Sequence, residues 1–200
     1  MILSHDPHVD LQIADAAVAQ LPAYLAGRSL TRPIYVNVGG AAYRPAISLG
    51  FVLDLLHALQ LRAPALSADE TALLARLHDD LRVARTLHRA DYARHLTQEL
   101  TSLLDTWEAY LDDLAGGEDA GAANHATEAR KRTRIALLLA EAAAHDIDVA
   151  AHAERTAHAD RRMDDILVPG AYVGPAGLAN AFPADRFRWL HRSPKPSRSH

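Results

Sequence analysis

Apolar positions recur with helical spacing through two long stretches of the chain. Residues 65–115 and 122–168 contain neither glycine nor proline and are rich in alanine, leucine, arginine and glutamate, a composition that favours helix. In the first stretch two apolar faces differ by roughly 90° or more at about 100° per residue. The first face holds Leu73, Leu77, Leu81 and Ala84; the second holds Leu96, Leu100, Leu104, Trp107 and Leu111.

This change of face predicts a break or kink near residues 88–92, with Asp91 as a possible N-cap. The alternative is one long helix that is buried on opposite sides at its two ends. In the second stretch the apolar side is formed by Ile135, Leu139, Ala143, Ala150, Ala153 and Ala157. A straight helix over either stretch would span about 70 Å, whereas a globule of this size is roughly 35–40 Å across. Either the stretches break into shorter helices or the protein is elongated.

Capping and turn residues divide the rest of the chain. Asp6 and Pro7 are typical of a helix start, Ser48 can cap the helix that follows it, and Ser67 with Glu70 forms a capping box. Between these starts, PIYVNV and YRPAI surround Gly39 and Gly40, which predicts a β-hairpin. Gly116-Gly117 ends the first helical stretch.

We therefore predict a mainly α fold: a helical bundle or long helical hairpin with a small N-terminal β-hairpin. Residues 1–64 form an N-terminal helix, the hairpin and a further helix, and residues 65–168 form the long helical hairpin or bundle packed with them as one unit. Residues 169–200 form a Gly/Pro-rich strap and a basic tail.

Charge is distributed unevenly. The formal net charge is −4, yet residues 186–200 carry five cations and no acid, which leaves 16 basic against 25 acidic groups, or −9, in residues 1–185. The chain has no cysteine, which excludes disulfide-linked partners and Cys-based metal sites. The N-terminal residues lack the pattern of a signal peptide, and no stretch has the ~18 apolar residues of a membrane span. We expect a cytoplasmic protein with no membrane partner and no cofactor.

The basic tail is the candidate nucleic-acid interface. Cations interleaved with an aromatic ring can hold phosphates and stack on bases, and the residues concerned are Arg186, Arg188, Trp189, Arg192, Lys195 and Arg198. The alternative is that Phe187 and Trp189 dock the tail onto the acidic remainder of the chain, with residues 193–200 disordered. A second basic cluster, Arg130-Lys131-Arg132 with Arg134, could likewise pair with acids elsewhere.

Histidines and carboxylates recur at a spacing that could bind metal. The two sets are His88, Asp91, His95 and Glu99, and Glu141, His145, Asp148 and His152. Spacings of three and four place each set along one side of a helix, as in di-iron bundles. Against this, the second set lies roughly 100–160° from the apolar side of its stretch, where inward-facing ligands would not be. A solvated polar face is the competing interpretation.

Arginine followed by histidine after five residues occurs at Arg82…His88 and at Arg89…His95. This spacing resembles the Arg-x(4–6)-His signature of the helical HEPN ribonucleases. The residue after the arginine is typically polar in that family, and here it is Val83 or Ala90. Phosphate-loop, dinucleotide-binding and common hydrolase motifs are absent from the sequence.

These observations rank three functions. The first is a non-enzymatic helical protein–protein interaction or assembly subunit that forms a homo-oligomer, because long amphipathic helices offer more apolar surface than one small bundle covers. The alternative is a nucleic-acid-associated protein that uses the basic aromatic tail. The third is a metal-dependent or HEPN-like ribonucleolytic enzyme.

Overall fold

The protein is mainly α with small two-stranded sheets, which confirms the predicted fold class. A computed structural model describes residues 6–116 and 124–195. Over this part of the chain the α-helices are α1 Pro7–Ala19, α2 Leu21–Leu25, α3 Leu49–Leu61, α4 Ala68–Leu87, α5 Arg89–Ala115, α6 His125–Ala144 and α7 Ala150–Ile166. Three antiparallel pairs join β1 Arg32–Pro33 to β4 Ala46–Ile47, β2 Val36–Val38 to β3 Ala41–Tyr43, and β5 Leu167–Pro169 to β6 Arg192–Pro194. None of the helices in these residues is long and apolar enough to cross a membrane.

The chain divides into two compact units, Met1–Glu99 and Leu100–His200. The boundary falls inside α5, so that this helix supplies residues to both units. In the first unit α3 is buried on almost every side, as a helix that is hydrophobic all round should be, and α1 packs against it and α4.

Local capping residues begin α1, α3 and α4 of the first unit, as predicted. The Asp6 side chain accepts a hydrogen bond from the His8 backbone N–H at 2.8 Å at the start of α1. Ser48 caps α3 by accepting from the Phe51 N–H. Ser67 and Glu70 form the reciprocal capping box of α4, which satisfies backbone donors that a helix start leaves open.

The predicted break near residue 88 is confirmed. Helix α4 ends at Leu87 and α5 begins at Arg89, with His88 outside helical geometry between them. Asp91 is not the N-cap: it lies within the first turn of α5 and pairs with Arg94 at 2.8 Å. The second apolar face of this stretch is fully buried, whereas in α4 the core takes Leu74 in place of the predicted Leu73.

The expectation of one apolar side through residues 135–157 is wrong. Helix α6 ends at Ala144, and Asp146 adopts the left-handed conformation with φ 53°, so the turn before α7 resets the helical phase. Ala143, Ala150, Ala153 and Ala157 are exposed. Of the predicted positions Ile135 is buried; the other buried positions that follow it in α6 and α7 are Leu138, Ala142, Thr156, Ala159 and Met163.

The predicted hairpin is present and longer than its β2–β3 core. Gly39 and Gly40 have φ of 58° and 85°, which a two-residue hairpin turn requires and glycine adopts at no steric cost. The Ile34 N–H donates to the Pro45 carbonyl at 2.9 Å, which continues the same register into β1 and β4.

The C-terminal segment is ordered further than the sequence indicated. Disorder was expected from residue 193, but Ser193 and Pro194 pair with Val168 and Leu167 as β6 on β5. This pairing joins positions far apart in the chain, so no local pattern marks it. The segment between the two strands forms a 3-10 helix at Ala176–Ala181 and another at Arg188–His191, consistent with the predicted absence of a long helix. Residues 196–200 lie outside the described residues.

The left-handed turn at Asp146 can be tested by substitution. Asp146→Val should lower the free energy of unfolding of the second unit by about 1–2 kcal/mol, because a β-branched side chain is strained at positive φ. Asp146→Gly should change it by less than about 1 kcal/mol. Both tryptophans of the protein, Trp107 and Trp189, lie in this unit, so urea unfolding followed by tryptophan fluorescence reports on it. The control Glu154→Val, exposed in α7, should cost only about 0.5 kcal/mol; equal stability of the Asp146 variants would contradict the assignment.

Candidate functional site

The first set of predicted metal ligands is held by backbone groups and neighbouring side chains of the first unit. His95 is fully buried and its ring packs against Tyr24 in a tilted arrangement, with centroids 4.4 Å apart. Its Nε2 lies 3.2 and 3.1 Å from the carbonyl oxygens of Leu25 and Gly27. Nε2 is therefore the donor in a neutral ring. The pKa of His95 is lowered from its ordinary value, and burial is the largest of the causes.

The carboxylates of this set have partners of their own. Glu99 is buried and accepts hydrogen bonds from the Ser48 hydroxyl at 2.5 Å and from the Gly50 N–H at 3.1 Å, at the N-terminus of α3, where a negative charge is stabilised. The hydrogen bond from Arg94 lowers the pKa of Asp91. These residues connect α3 and the end of α2 to α5, whereas His88 lies at the break between α4 and α5.

The second set is dispersed around the turn between α6 and α7. His145 follows the last residue of α6, with its Nε2 3.6 Å from Glu141. Asp148 accepts from the Ala150 N–H at the start of α7, and His152 Nε2 lies 3.0 Å from the Thr101 hydroxyl. The expectation that these four residues share one side of a helix is wrong, because the helix ends before His145.

Neither histidine pattern assembles a recognisable catalytic centre in the described residues. Over 6–116 and 124–195 no group of three or more His, Asp or Glu side chains is placed to bind a metal ion. In the Arg…His pairs, Arg82 binds Asp79 at 3.2 Å on the surface of α4, Arg89 is exposed, and His95 is buried against backbone carbonyls.

The described part of the basic tail lies on its own unit, and three of its cations are bound there. Arg188 pairs with Asp164 at 2.6 Å and lies 3.6 Å from Asp160. Arg192 pairs with the same Asp164 at 2.9 Å and donates to the Leu167 carbonyl. The remaining cations are Lys195, which donates to the Asp165 carbonyl, the exposed Arg186, whose guanidinium lies 5.8 Å from the Phe187 ring centroid, and Arg198, which lies outside the described residues.

Trp189 anchors the tail to α6 and α7. Its ring is buried and its Nε1–H donates to Thr133 at 2.9 Å. The Arg132 guanidinium lies 3.9 Å from the ring centroid and makes two hydrogen bonds to Asp160, at 2.8 and 2.7 Å. The sequence left open that Arg132 pairs with an acid elsewhere, and Asp160 is that acid; the partner itself could not be identified from a local pattern, because it lies 28 residues farther along the chain.

His125, the first residue of α6, links the tail to α5. Its Nε2 lies 2.7 Å from the Arg192 carbonyl and its Nδ1 lies 2.7 Å from the Tyr110 hydroxyl. The carbonyl can only accept, so Nε2–H donates and Nδ1 accepts from Tyr110. Burial is the main cause that lowers the pKa of His125 below its ordinary 6.5.

An apolar pair is exposed near the end of α4. Leu87 is 74% exposed and Val83, one turn earlier on the same face, is 44% exposed. Asp80 and Arg89, both exposed, flank the pair on either side. We call Asp80, Val83, Leu87 and Arg89 the α4 patch.

No protein-family model, curated protein or solved structure matches this chain.

Removing the tryptophan anchor should unfold the tail and weaken the second unit. Trp189→Ala should lower its free energy of unfolding by about 3–5 kcal/mol, since a large buried side chain is lost. Trp107 remains as the fluorescent reporter for urea unfolding. Arg186→Ala, exposed three residues earlier, should change stability by less than about 0.5 kcal/mol. A Trp189 variant as stable as this control would show that the tail is not part of the unit.

The buried His125 should make the second unit less stable in mild acid. The unfolded chain binds a proton below pH 6.5 that the native His125 resists, so the free energy of unfolding should fall as pH drops below about 6.5, by up to about 1.4 kcal/mol per pH unit. His125→Gln should be less stable at pH 7.5 but lose less between pH 7 and 5. The matched control is His158→Gln on the exposed side of α7, which should keep the wild-type pH dependence. Identical slopes in all three proteins would exclude His125 as the cause.

Proposed function

We propose that the protein is a non-enzymatic assembly subunit that pairs with a second copy of itself through the α4 patch. The observation that carries this proposal is the exposure of two large apolar side chains one turn apart on one helix. Among the described residues the other exposed large apolar side chains are Tyr35 and Leu61, which lie on other elements. Full burial of each such side chain contributes about 1.5–3 kcal/mol.

The charges of the α4 patch favour a copy of the same chain as the partner. Asp80 precedes Val83 by three residues, and Arg89 follows Leu87 by two. Neither charge has an ion-pair partner within residues 6–116 and 124–195. In a two-fold dimer of antiparallel helices, Asp80 of one copy would face Arg89 of the other, and the reverse contact would follow by symmetry. The patch is therefore complementary to itself in both apolar surface and charge.

The other two functions have less support from the same residues. Four of the five described tail residues proposed for nucleic acid are already engaged within the second unit: Arg188 and Arg192 by Asp164, Trp189 by Thr133, and Lys195 by a backbone carbonyl. A phosphate would have to compete with these contacts. Three of the histidines proposed for an enzyme, His95, His145 and His152, are likewise held by separate partners.

A charge in the α4 patch should weaken self-association. We expect wild-type protein to form a dimer with micromolar affinity, and Leu87→Glu or Val83→Glu to weaken it at least tenfold, because a carboxylate would be buried in an apolar contact. Sedimentation velocity from about 1 to 200 μM measures the effect. Leu61→Glu is the matched control, an exposed leucine of the same unit outside the patch. A wild-type monomer over the whole range, or equal weakening by the control, would refute the proposal.

The proposed contact between Asp80 of one copy and Arg89 of the other can be tested in the same assay. Asp80→Arg and Arg89→Asp should each weaken the dimer, since each places like charges opposite one another. The double variant should regain most of the lost affinity, because the pair is restored with its signs exchanged. If the losses of dimer affinity simply add in the double variant, the two charges do not contact each other.

A further inference from the structure

The hairpin of residues 32–47 presents an outward face of unusual chemistry. Side chains alternate along it with strand period. One face is mostly buried or half-buried, including Ile34, Pro45 and Ile47, with Arg32 and Ala41 exposed at its two ends, and the other face is exposed. The exposed face consists of Pro33, Tyr35, Asn37, Ala42, Arg44 and Ala46. We call these six residues the hairpin face. Small residues surround a single aromatic ring on it.

Tyr35 is 75% exposed, the largest exposure among the large apolar side chains of the described residues. The Arg44 guanidinium lies over its ring, 5.1 Å from the centroid, which follows from the cross-strand register of the hairpin. The arginine covers one side of the ring, and the rest of the ring is open to solvent. An exposed aromatic ring on a strand, beside an arginine, is a surface on which an unpaired base can stack.

Three arginines in and near the hairpin have no ion-pair partners in the described part of the chain. The sequence between Asp15 and Asp54 contains three arginines, Arg28, Arg32 and Arg44, and no acidic residue. All three arginines are exposed and have no carboxylate partner within the described residues. Elsewhere most arginines are paired, as with Arg62–Asp10, Arg76–Asp15, Arg132–Asp160, Arg155–Glu108 and Arg162–Asp112. The basic groups of the hairpin are thus available to an external anion.

We propose that the hairpin face binds single-stranded nucleic acid. Tyr35 stacks on a base, the Asn37 amide is placed to hydrogen-bond a base edge, and Arg28, Arg32 and Arg44 contact phosphates. The exposed ring favours this partner over an acidic protein segment, which would use the cations but has no flat base to place on Tyr35. Because a duplex keeps its bases stacked on each other, the strand bound here is single.

Binding of a fluorescein-labelled dT20 or rU20 oligonucleotide to the full-length protein, measured by fluorescence polarisation, tests the proposal. Tyr35→Ala should weaken binding roughly 5- to 100-fold, as loss of one stacked base does, whereas Tyr35→Phe should retain it. With three phosphate contacts, the log–log dependence on salt should have a slope of about −2. Arg32→Ala with Arg44→Ala should reduce that slope to about −0.7.

The control removes the same charge elsewhere. Arg161→Ala with Arg186→Ala deletes two exposed arginines that lack carboxylate partners in the described residues and lie outside both the hairpin and the α4 patch; it should leave the affinity within about twofold. Equal loss in both double variants would reduce the effect to net charge and overturn the proposal. So would the absence of oligonucleotide binding at 50 mM salt, or binding of poly-L-glutamate that matches the oligonucleotide and survives Tyr35→Ala, which would identify an acidic protein segment as the partner. An unchanged melting temperature, measured by circular dichroism, would show that each variant is folded.

Discussion

A buried guanidinium sets the main constraint on the second unit. Arginine cannot lose its proton in a protein, so the burial of Arg132 requires an acid and a polarisable surface beside it. Asp160 provides the acid from α7 and Trp189 provides the ring from the C-terminal segment. Three separate parts of the chain must meet at one cation. Loss of Asp160 would leave a buried charge without its partner, a defect of about 3–5 kcal/mol.

The same requirement explains why an acidic chain carries a basic tail. Asp160 and Asp164 lie one turn apart on α7, and between them they bind Arg132, Arg188 and Arg192. Acids and bases that are separated in sequence therefore neutralise each other inside one unit. The arginines of the hairpin have no such partners. The tail, where positive charge is densest along the sequence, therefore holds mostly paired cations, whereas the unpaired exposed cations lie in a segment with few of them.

Features decided within a few residues could be predicted, and features decided by distant contacts could not. The helix starts at Asp6, Ser48 and Ser67 depend on bonds to backbone groups two or three residues away, and the hairpin turn depends on two glycines. The turn at Asp146 could not be predicted, because aspartate can adopt positive φ but, unlike glycine, does not indicate a left-handed turn by its presence in the sequence. The burial of Arg132 and the pairing of β5 with β6 arise from partners more than twenty residues away. For the candidate sites, spacing indicated which histidines could share a helix but not where the helix would end.

The position of Trp189 has a consequence for biosynthesis. Thr133, its hydrogen-bond partner, leaves the ribosome 56 residues earlier, which corresponds to roughly 3–11 s of elongation. During that interval α6 and α7 exist without the ring that covers Arg132, whereas every residue of the first unit has already been made. All of the first unit is therefore available for folding before the second, whose structure stays incomplete until its last strand has been translated.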